Sequence, residues 1–455
     1  MKVFGSSGIR GVVNETLTPE YAMQVAMAAG SCWRTEGVER VAVGHDTRRT
    51  GTMFADAAKS GLAGVGLDVA YLGTVPTPGV QAYAEENGVP AMVLTASHNP
   101  PEHNGIKLVG ADGVELAVER LERIEDRLLS ESFDRAEWND VGRTRSVDGA
   151  AEDYVAELLA AVDCEAIADA DLTVAVDPGH GAGAVTSPEF FRELGCHVLT
   201  LNAQPDGHFP GRRPEPVEKH LQGLQRLVRT SGADLGVAHD GDADRAIFVD
   251  ETGEFIEGDA TLAALAEAEL RAGDAVVSAV STSQRLVDVA DRVGATLHMT
   301  PIGSSHIITK VQSLQRGGET VPIAGEGNGG VIFPAYRTVR DGAYTAARFC
   351  ELLADRRASE VATAYDDYYN VRINVDYSDD DERERMVGAI EAVANESAAH
   401  LDTTDGYRLN YEDAWVLARP SGTEPLVRIY AEARSHSRAE ELAARMEEAV
   451  TAAKD

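Results

Sequence analysis

The chain has 455 residues, enough for three or four domains of about 100–200 residues each. Apolar residues make up 44% of it and charged residues 25%, and no apolar run approaches the roughly 20 residues that span a bilayer. Acidic residues outnumber Lys and Arg by 75 to 41, a net charge of −34 that excludes a general nucleic-acid binder, whose surface must neutralise phosphates.

The first three-quarters of the chain repeats one outline three times. Val41-Ala42-Val43 reads as a buried strand running into Gly44-His45-Asp46-Thr47-Arg48-Arg49. A helical stretch and a strand near residues 67–71 follow. Ala91-Met92-Val93-Leu94 is then a strand that runs into Thr95-Ala96-Ser97-His98-Asn99-Pro100. The second copy opens at Val174-Ala175-Val176, with a helix near residues 188–194 and a strand over 196–201. Its later strand, Leu235-Gly236-Val237-Ala238, ends in Asp240-Gly241-Asp242-Ala243-Asp244-Arg245. The third has strands over 275–280 and 296–300, a helix over 284–293, and Val321-Pro322-Ile323-Ala324 before Gly325-Glu326-Gly327-Asn328-Gly329-Gly330.

The remainder differs. Val371-Arg372-Ile373-Asn374-Val375 alternates like a half-buried strand, ahead of the acidic stretch 379–384. Trp415-Val416-Leu417 and Val427-Arg428-Ile429-Tyr430 flank Arg419-Pro420-Ser421-Gly422-Thr423-Glu424-Pro425. Ser437 and Glu440 form a capping-box pattern before apolar residues at helical spacing, Leu442, Met446, Ala449 and Val450. The expected fold is α/β: three similar mixed-sheet α/β domains and a smaller C-terminal α+β domain around a central cleft. The expected boundaries are 1–150, 151–254, 255–368 and 369–455. In such sheets ligands sit off the strand ends, where all three polar loops emerge.

Asp240, Asp242 and Asp244 put carboxylates at alternate positions, able to gather oxygens around one hard cation. An EF-hand does not fit, because Arg245 stands where that loop needs Gly and both flanks read as strands. Ser97 follows an apolar strand, and Asn99-Pro100-Pro101 enforces a turn. No nucleophile elbow surrounds it, which argues against acyl transfer. His98 and His103, with Glu102 between them, are a weaker candidate metal pair. The loop 419–425 joins a forked cation, two hydroxyls and a Gly, which is what a phosphate dianion requires.

Only six lysines occur against 35 arginines. An acidic, lysine-poor surface fits a halophile, with a cytoplasm at molar salt where charges are screened over about 3 Å. High-GC codon bias is the alternative. Four cysteines without a CxxC pattern read as isolated buried thiols in a reducing compartment. The N-terminal residues show no targeting pattern. Together these favour a soluble cytoplasmic protein, with no membrane or nucleic-acid partner. They leave the oligomeric state open.

These loops, in this order, resemble those of the α-D-phosphohexomutase family over essentially the whole chain. The matching segments are 95–100 (phosphoserine loop), 240–245 (metal loop), 325–330 (sugar loop) and 419–425 (phosphate loop). Phe4-Gly5-Ser6-Ser7-Gly8-Ile9-Arg10-Gly11, Asn104-Gly105-Ile106-Lys107 and Pro205-Asp206-Gly207-His208-Phe209-Pro210-Gly211 support them. The resemblance implies an isomerase that interconverts hexose 6- and 1-phosphates through a phosphoserine and a bound hexose bisphosphate, which is also its activator. Phosphoglucosamine mutase is the first expectation and phosphomannomutase/phosphoglucomutase the alternative; a metal-dependent sugar phosphatase is the reading from another class.

By resemblance the catalytic set is Ser97, Lys107, His98, Arg245 and Arg10. One Mg²⁺ per active site would be held by Ser97, Asp240, Asp242 and Asp244. The substrate would meet Glu326, Asn328, Gly303, Arg419, Ser421, Gly422, Thr423 and Arg428. Lys107 is expected to have a pKa lowered by the like charges of Arg245 and Arg10. Asn328 stands where many bacterial relatives have Ser, and Gly330 where they have His, a pattern similar to the archaeal branch. The segment 300–306 lacks a basic residue that some relatives carry. His306 either substitutes for it or is a structural histidine.

Overall fold

A computed structural model describes residues 3–5, 8–421 and 425–454. By packing the chain divides into two units, residues 1–261 with 328–361, and residues 262–327 with 362–455.

The first unit holds two sheets of like topology. In the first, the strands run in the order Ile9–Val12, His103–Val109, Ala91–Leu94, Arg40–His45, Asp68–Thr74 and Thr144–Ser146. Arg40–His45 lies parallel to both of its neighbours, and His103–Val109 returns antiparallel to Ala91–Leu94. Val41-Ala42-Val43 is apolar at every position because this central strand is covered on both faces. Val41 and Val43 join a core with the helices Pro19–Thr35, Gly51–Gly64 and Val118–Leu129. Ala42, one residue out of phase, faces the other core with Val80 and Ala84 of the helix Thr77–Asn87.

The second sheet repeats the plan. Thr173–Asp177 lies parallel to His197–Thr200 and Leu235–Ala238, and Ile247–Asp250 returns antiparallel. In both sheets the candidate loop is the connection into the antiparallel return strand: 95–102 in the first, 239–246 in the second. An antiparallel hairpin, Gly330–Phe333 with Arg337–Arg340, and the helix Gly342–Glu351 complete this unit.

The second unit contains three parallel strands in the order Thr296–Thr300, Ala275–Ala279, Ile323–Glu326. It also contains an antiparallel sheet ordered Tyr369–Asp376, Leu426–Ala433, Ala414–Pro420, Tyr407–Asn410, His400–Asp402, backed by the helices Asp380–Glu396 and His436–Ala452. The α/β and α+β expectations therefore hold.

Two local expectations need correction. The helix over 436–452 is capped by Ser435, whose side chain accepts from Arg438 N, not by Ser437, which lies inside the first turn. Two of the four cysteines, Cys32 and Cys164, are only half-buried; Cys196 and Cys350 are buried, and all four are free thiols.

Candidate active site

Ser97 is placed by a strained turn and a buried arginine. It adopts φ 47°, in the left-handed region that costs a non-glycine residue about 1–3 kcal/mol. Thr95 Oγ1 accepts its N–H at 2.9 Å, and Arg48 Nη2 donates to its carbonyl at 2.9 Å. The same guanidinium donates to the carbonyls of Asn99 (2.6 Å), Pro100 (2.6 Å) and His103 (2.9 Å), and to Asp46 Oδ2 at 3.0 Å. One fully buried side chain thus gathers the whole turn. The second sheet uses the same device: Arg212 pairs with Asp177 and donates from Nη2 to the carbonyl of His239, just before the aspartate triplet, at 2.6 Å. Neither arginine stood out in the sequence, where only the polar character of their loops was visible.

The two loops meet closely. A Cβ on Gly241 would lie 2.5 Å from the carbonyl oxygen of Ser97, so only glycine permits this approach. Ser97 Oγ donates to Asp242 Oδ2 at 3.2 Å and accepts from Arg10 Nη2 at 3.3 Å. Arg10 also donates to Asn99 Oδ1 at 2.9 Å. Asp242 Oδ2 further receives Thr77 Oγ1 at 2.6 Å and Lys107 Nζ at 2.9 Å. Asp244 Oδ2 receives Lys107 Nζ at 3.0 Å and Arg340 Nη2 at 2.6 Å. Arg245 Nη2 donates to His98 Nδ1 at 3.2 Å, and its Nε lies 3.7 Å from Asp240 Oδ2 and 3.8 Å from Asp244 Oδ1.

The three aspartates are buried, and each offers an oxygen within 4.8 Å of the others. Both oxygens of Asp240, and Oδ1 of Asp242 and of Asp244, have no hydrogen-bond partner. Burial pushes the Asp240 carboxyl well above the usual carboxylate range, and repulsion from Asp244 and Asp242 adds to the shift. Burial opposes the charge on Asp244 as well, but Arg340, Lys107 and Arg245 outweigh it and hold that carboxyl low. Buried, unbonded carboxylate oxygens that repel one another are the donor set a hard divalent cation satisfies. The residues fit Mg²⁺.

Lys107 departs from expectation. Burial works against its charge, but Asp242 and Asp244 prevail, so its pKa is raised and not lowered. Burial, followed by Arg245 and Arg10, takes His98 well below its usual range, leaving a neutral ring that accepts from Arg245. His98 Nδ1 is engaged by Arg245, and among the described residues the aspartate triplet is the one group of three or more potential metal ligands.

Five expected residues (Ser97, Lys107, His98, Arg245 and Arg10) and the aspartate triplet therefore stand together in the first unit. Asn328 is in this unit too, its Oδ1 accepting from Gly330 N at 3.0 Å, while Gly329 O accepts from Ala246 N at 3.0 Å. Thr77 and Arg340 join the cluster without having been foreseen.

The second unit carries the other residues expected to meet the substrate. Glu326 is buried at the end of its strand. Gly303, at φ 130°, precedes the helix Ser304–Arg316, in which His306 is half-buried. Arg419 and Arg428 are directly opposed on adjacent strands. Asp405, another unforeseen residue, accepts from Arg419 Nε at 3.0 Å and from Ile302 N at 3.0 Å, linking the turn at Gly303 to the strand that leads into the loop from Arg419. Ser421 N donates to Leu426 O at 2.7 Å. Gly422 and Thr423 lie outside the described residues.

Comparisons with known proteins identify the family. Sequence models of phosphoglucomutase/phosphomannomutase match in four consecutive parts: α/β/α domain I over residues 1–135, domain II over 152–253, domain III over 257–370 and the C-terminal domain over 373–449. The phosphoglucomutase/phosphomannomutase of Thermococcus kodakarensis is 44% identical, over 97% of this chain and 96% of that protein. The phosphoglucosamine/phosphogalactosamine mutase of Sulfurisphaera tokodaii is 36% identical, over 97% of each. A crystal structure of a phosphoglucomutase/phosphomannomutase family protein from Burkholderia thailandensis superposes with a TM-score of 0.85 at 28% identity, covering 99% of this chain and 97% of that one. With a buried serine seated against an acidic triplet, and all four family domains in sequence, the chain belongs to the phosphoglucomutase/phosphomannomutase family of phosphohexomutases, isomerases that act as mutases.

Proposed function

We propose that this chain interconverts hexose 6- and 1-phosphates through a phosphorylated Ser97 and a bound hexose bisphosphate, with glucosamine phosphate as its preferred substrate. The observation that carries this reading is the seat of the Ser97 hydroxyl, buried between Arg10 Nη2 at 3.3 Å and Asp242 Oδ2 at 3.2 Å. A serine that only shaped its turn would need neither a guanidinium nor an acidic triplet on its hydroxyl.

From phosphoserine, the P–O bond to Ser97 Oγ breaks as phosphorus bonds to a free sugar hydroxyl. Lys107, held protonated by Asp242 and Asp244, gives a proton to the departing Oγ and recovers one from the attacking hydroxyl. Its Nζ and Ser97 Oγ already share Asp242 Oδ2, so the proton has a short path. The bisphosphate then presents its other phosphate, and the same events in reverse restore phosphoserine. Ser97, Asp240, Asp242 and Asp244 would hold Mg²⁺, which when bound supplies neutralising charge to the transferring group. Arg10 adds planar donors, and Arg245 orients His98.

Glu326 and Asn328 are assigned to the sugar's 3- and 4-hydroxyls. Arg419, Ser421, Gly422 and Thr423 are assigned to the phosphate that does not react, with Arg428 beside them, and Gly303 to substrate contact. Arg419 and Arg428, directly opposed on adjacent strands, put two guanidinium groups beside the loop 419–425, the forked donors that suit a phosphate. Domains 1–150, 151–254, 255–368 and 369–455, and a cytoplasmic setting, belong to the same reading.

Two measurements test it. Intact mass spectrometry should find a phosphorylated fraction that Ser97→Ala removes along with nearly all mutase activity; an active, unphosphorylated Ser97→Ala protein would refute the phosphoenzyme. Kinetics with glucosamine, glucose and mannose 1-phosphates address the substrate. These sugars differ at carbon 2, to which no motif of this chain visibly makes a polar contact, so turnover of more than one is expected. A preference of about 10⁴-fold for a single sugar other than glucosamine phosphate would overturn the substrate assignment. Release of free phosphate in place of 6-phosphate would favour a phosphatase.

A further inference from the structure

Arg340 ends the strand Arg337–Arg340 and is buried, yet it lies outside every loop that carries the family resemblance. Its Nη2 meets Asp244 Oδ2 at 2.6 Å, the oxygen already occupied by Lys107 Nζ. To reach it, the stem crosses Gly330: a Cβ on Gly330 would fall 2.7 Å from Arg340 Cδ, closer than side chains pack. Gly330 does not have a positive φ, so its backbone conformation does not demand glycine. The room it leaves for Arg340 does.

A carboxylate can turn about Cβ–Cγ and exchange its oxygens. Two buried donors on one oxygen prevent this for Asp244, and Oδ1 is the oxygen left without a hydrogen-bond partner. Asp242 is divided in the same way, with Oδ2 taken by Thr77, Ser97 and Lys107 and Oδ1 unbonded. We propose that Gly330 and Arg340 act as one unit, in which the missing side chain at 330 admits Arg340 and Arg340 fixes Asp244 through Oδ2, so that Oδ1 serves the divalent cation. Arg340 is thus a positioning residue of the metal site. This rests on the aspartate triplet being that site.

Two effects of Arg340 on a cation oppose each other. Its positive charge repels the cation, whereas its hydrogen bond orients a ligand. Loss of such outer partners usually weakens metal binding by about 10–100-fold, and orientation is expected to win.

The test is a titration of the purified full-length chain with Mn²⁺, a hard divalent stand-in for Mg²⁺, followed by electron paramagnetic resonance without sugar phosphate. Arg340→Ala should raise the Kd by about 10-fold or more, and Arg340→Lys should recover part of the loss. Gly330→Ala should weaken binding in the native background but add little to Arg340→Ala, because its methyl group then enters vacated space. Thermal midpoints report folding, and Gly330→Ala, which removes no charge, carries the test if Arg340→Ala does not fold. An unchanged or lower Kd in Arg340→Ala, or strictly additive effects, would overturn the proposal alone. Mn²⁺ binding that survives Asp242→Asn unchanged would overturn the metal reading, and this proposal with it.

Discussion

At the scale of single residues, the site is governed by which oxygen each donor takes. Arg48 gathers four carbonyls of the Ser97 turn with one planar group, a fan that a lysine ammonium cannot reproduce. Arg48→Lys is therefore expected to keep the fold while losing about 2 kcal/mol of stability. It should lower kcat by about tenfold or more and barely change KM, because the misplaced group is Ser97 and not a sugar contact. Full activity in that variant would show that the turn holds itself.

Asp341 gives a pH prediction away from the chemistry. Burial pushes its carboxyl up from 3.8 to about 6, although Tyr344 N and Tyr154 Oη hydrogen-bond to it. The folded chain therefore binds this proton more tightly than the unfolded chain does. The contribution is complete below about pH 4 and is lost as pH rises through about 6. Asp341→Asn keeps an acceptor for both donors without the charge. Relative to it, the native chain's thermal midpoint should fall between about pH 4 and pH 7; a constant difference would contradict the raised pKa.

At the scale of elements, strands were legible wherever three or four apolar residues stand between polar loops. Ala91–Leu94 and Leu235–Ala238 occupy the residues expected of them. The acidic stretch 379–384 was visible only as charge. Asp379 caps the helix Asp380–Glu396, and three further acids fill its first turn, where the helix dipole favours them. The capping-box pattern read from the sequence, Ser437 with Glu440, lies inside the first turn of the last helix. Ser435 is the cap because its backbone is extended, φ −133° and ψ 142°, whereas Ser437 is already helical. Ser435→Ala should cost about 1 kcal/mol of stability by denaturant titration and Ser437→Ala almost none. The opposite ranking would restore the capping box at Ser437.

At the scale of the whole molecule, the net charge of −34 is a single large quantity. If the chain is adapted to molar salt, its thermal midpoint should rise as KCl goes from about 0.1 M to several molar, since screening relieves self-repulsion. A flat or falling midpoint would leave codon bias as the better account of the lysine-poor composition.

The sequence by itself determined the α/β repeat, the four loops and the residues Ser97, Asp240, Asp242 and Asp244, because each depends on contiguous residues. A strand's apolar run and the polar turn that follows it are local properties. Only the tertiary structure decided what surrounds them. Arg340 lies 96 positions from Asp244 and Thr77 lies 165 from Asp242, spacings that no periodicity encodes. It also reversed the expected shift of Lys107, because the charges of Asp242 and Asp244 outweigh both burial and the nearby Arg340. A pKa and a choice between two carboxylate oxygens are set by distances of a few ångströms in a medium of low dielectric, and those distances exist only after the chain has folded.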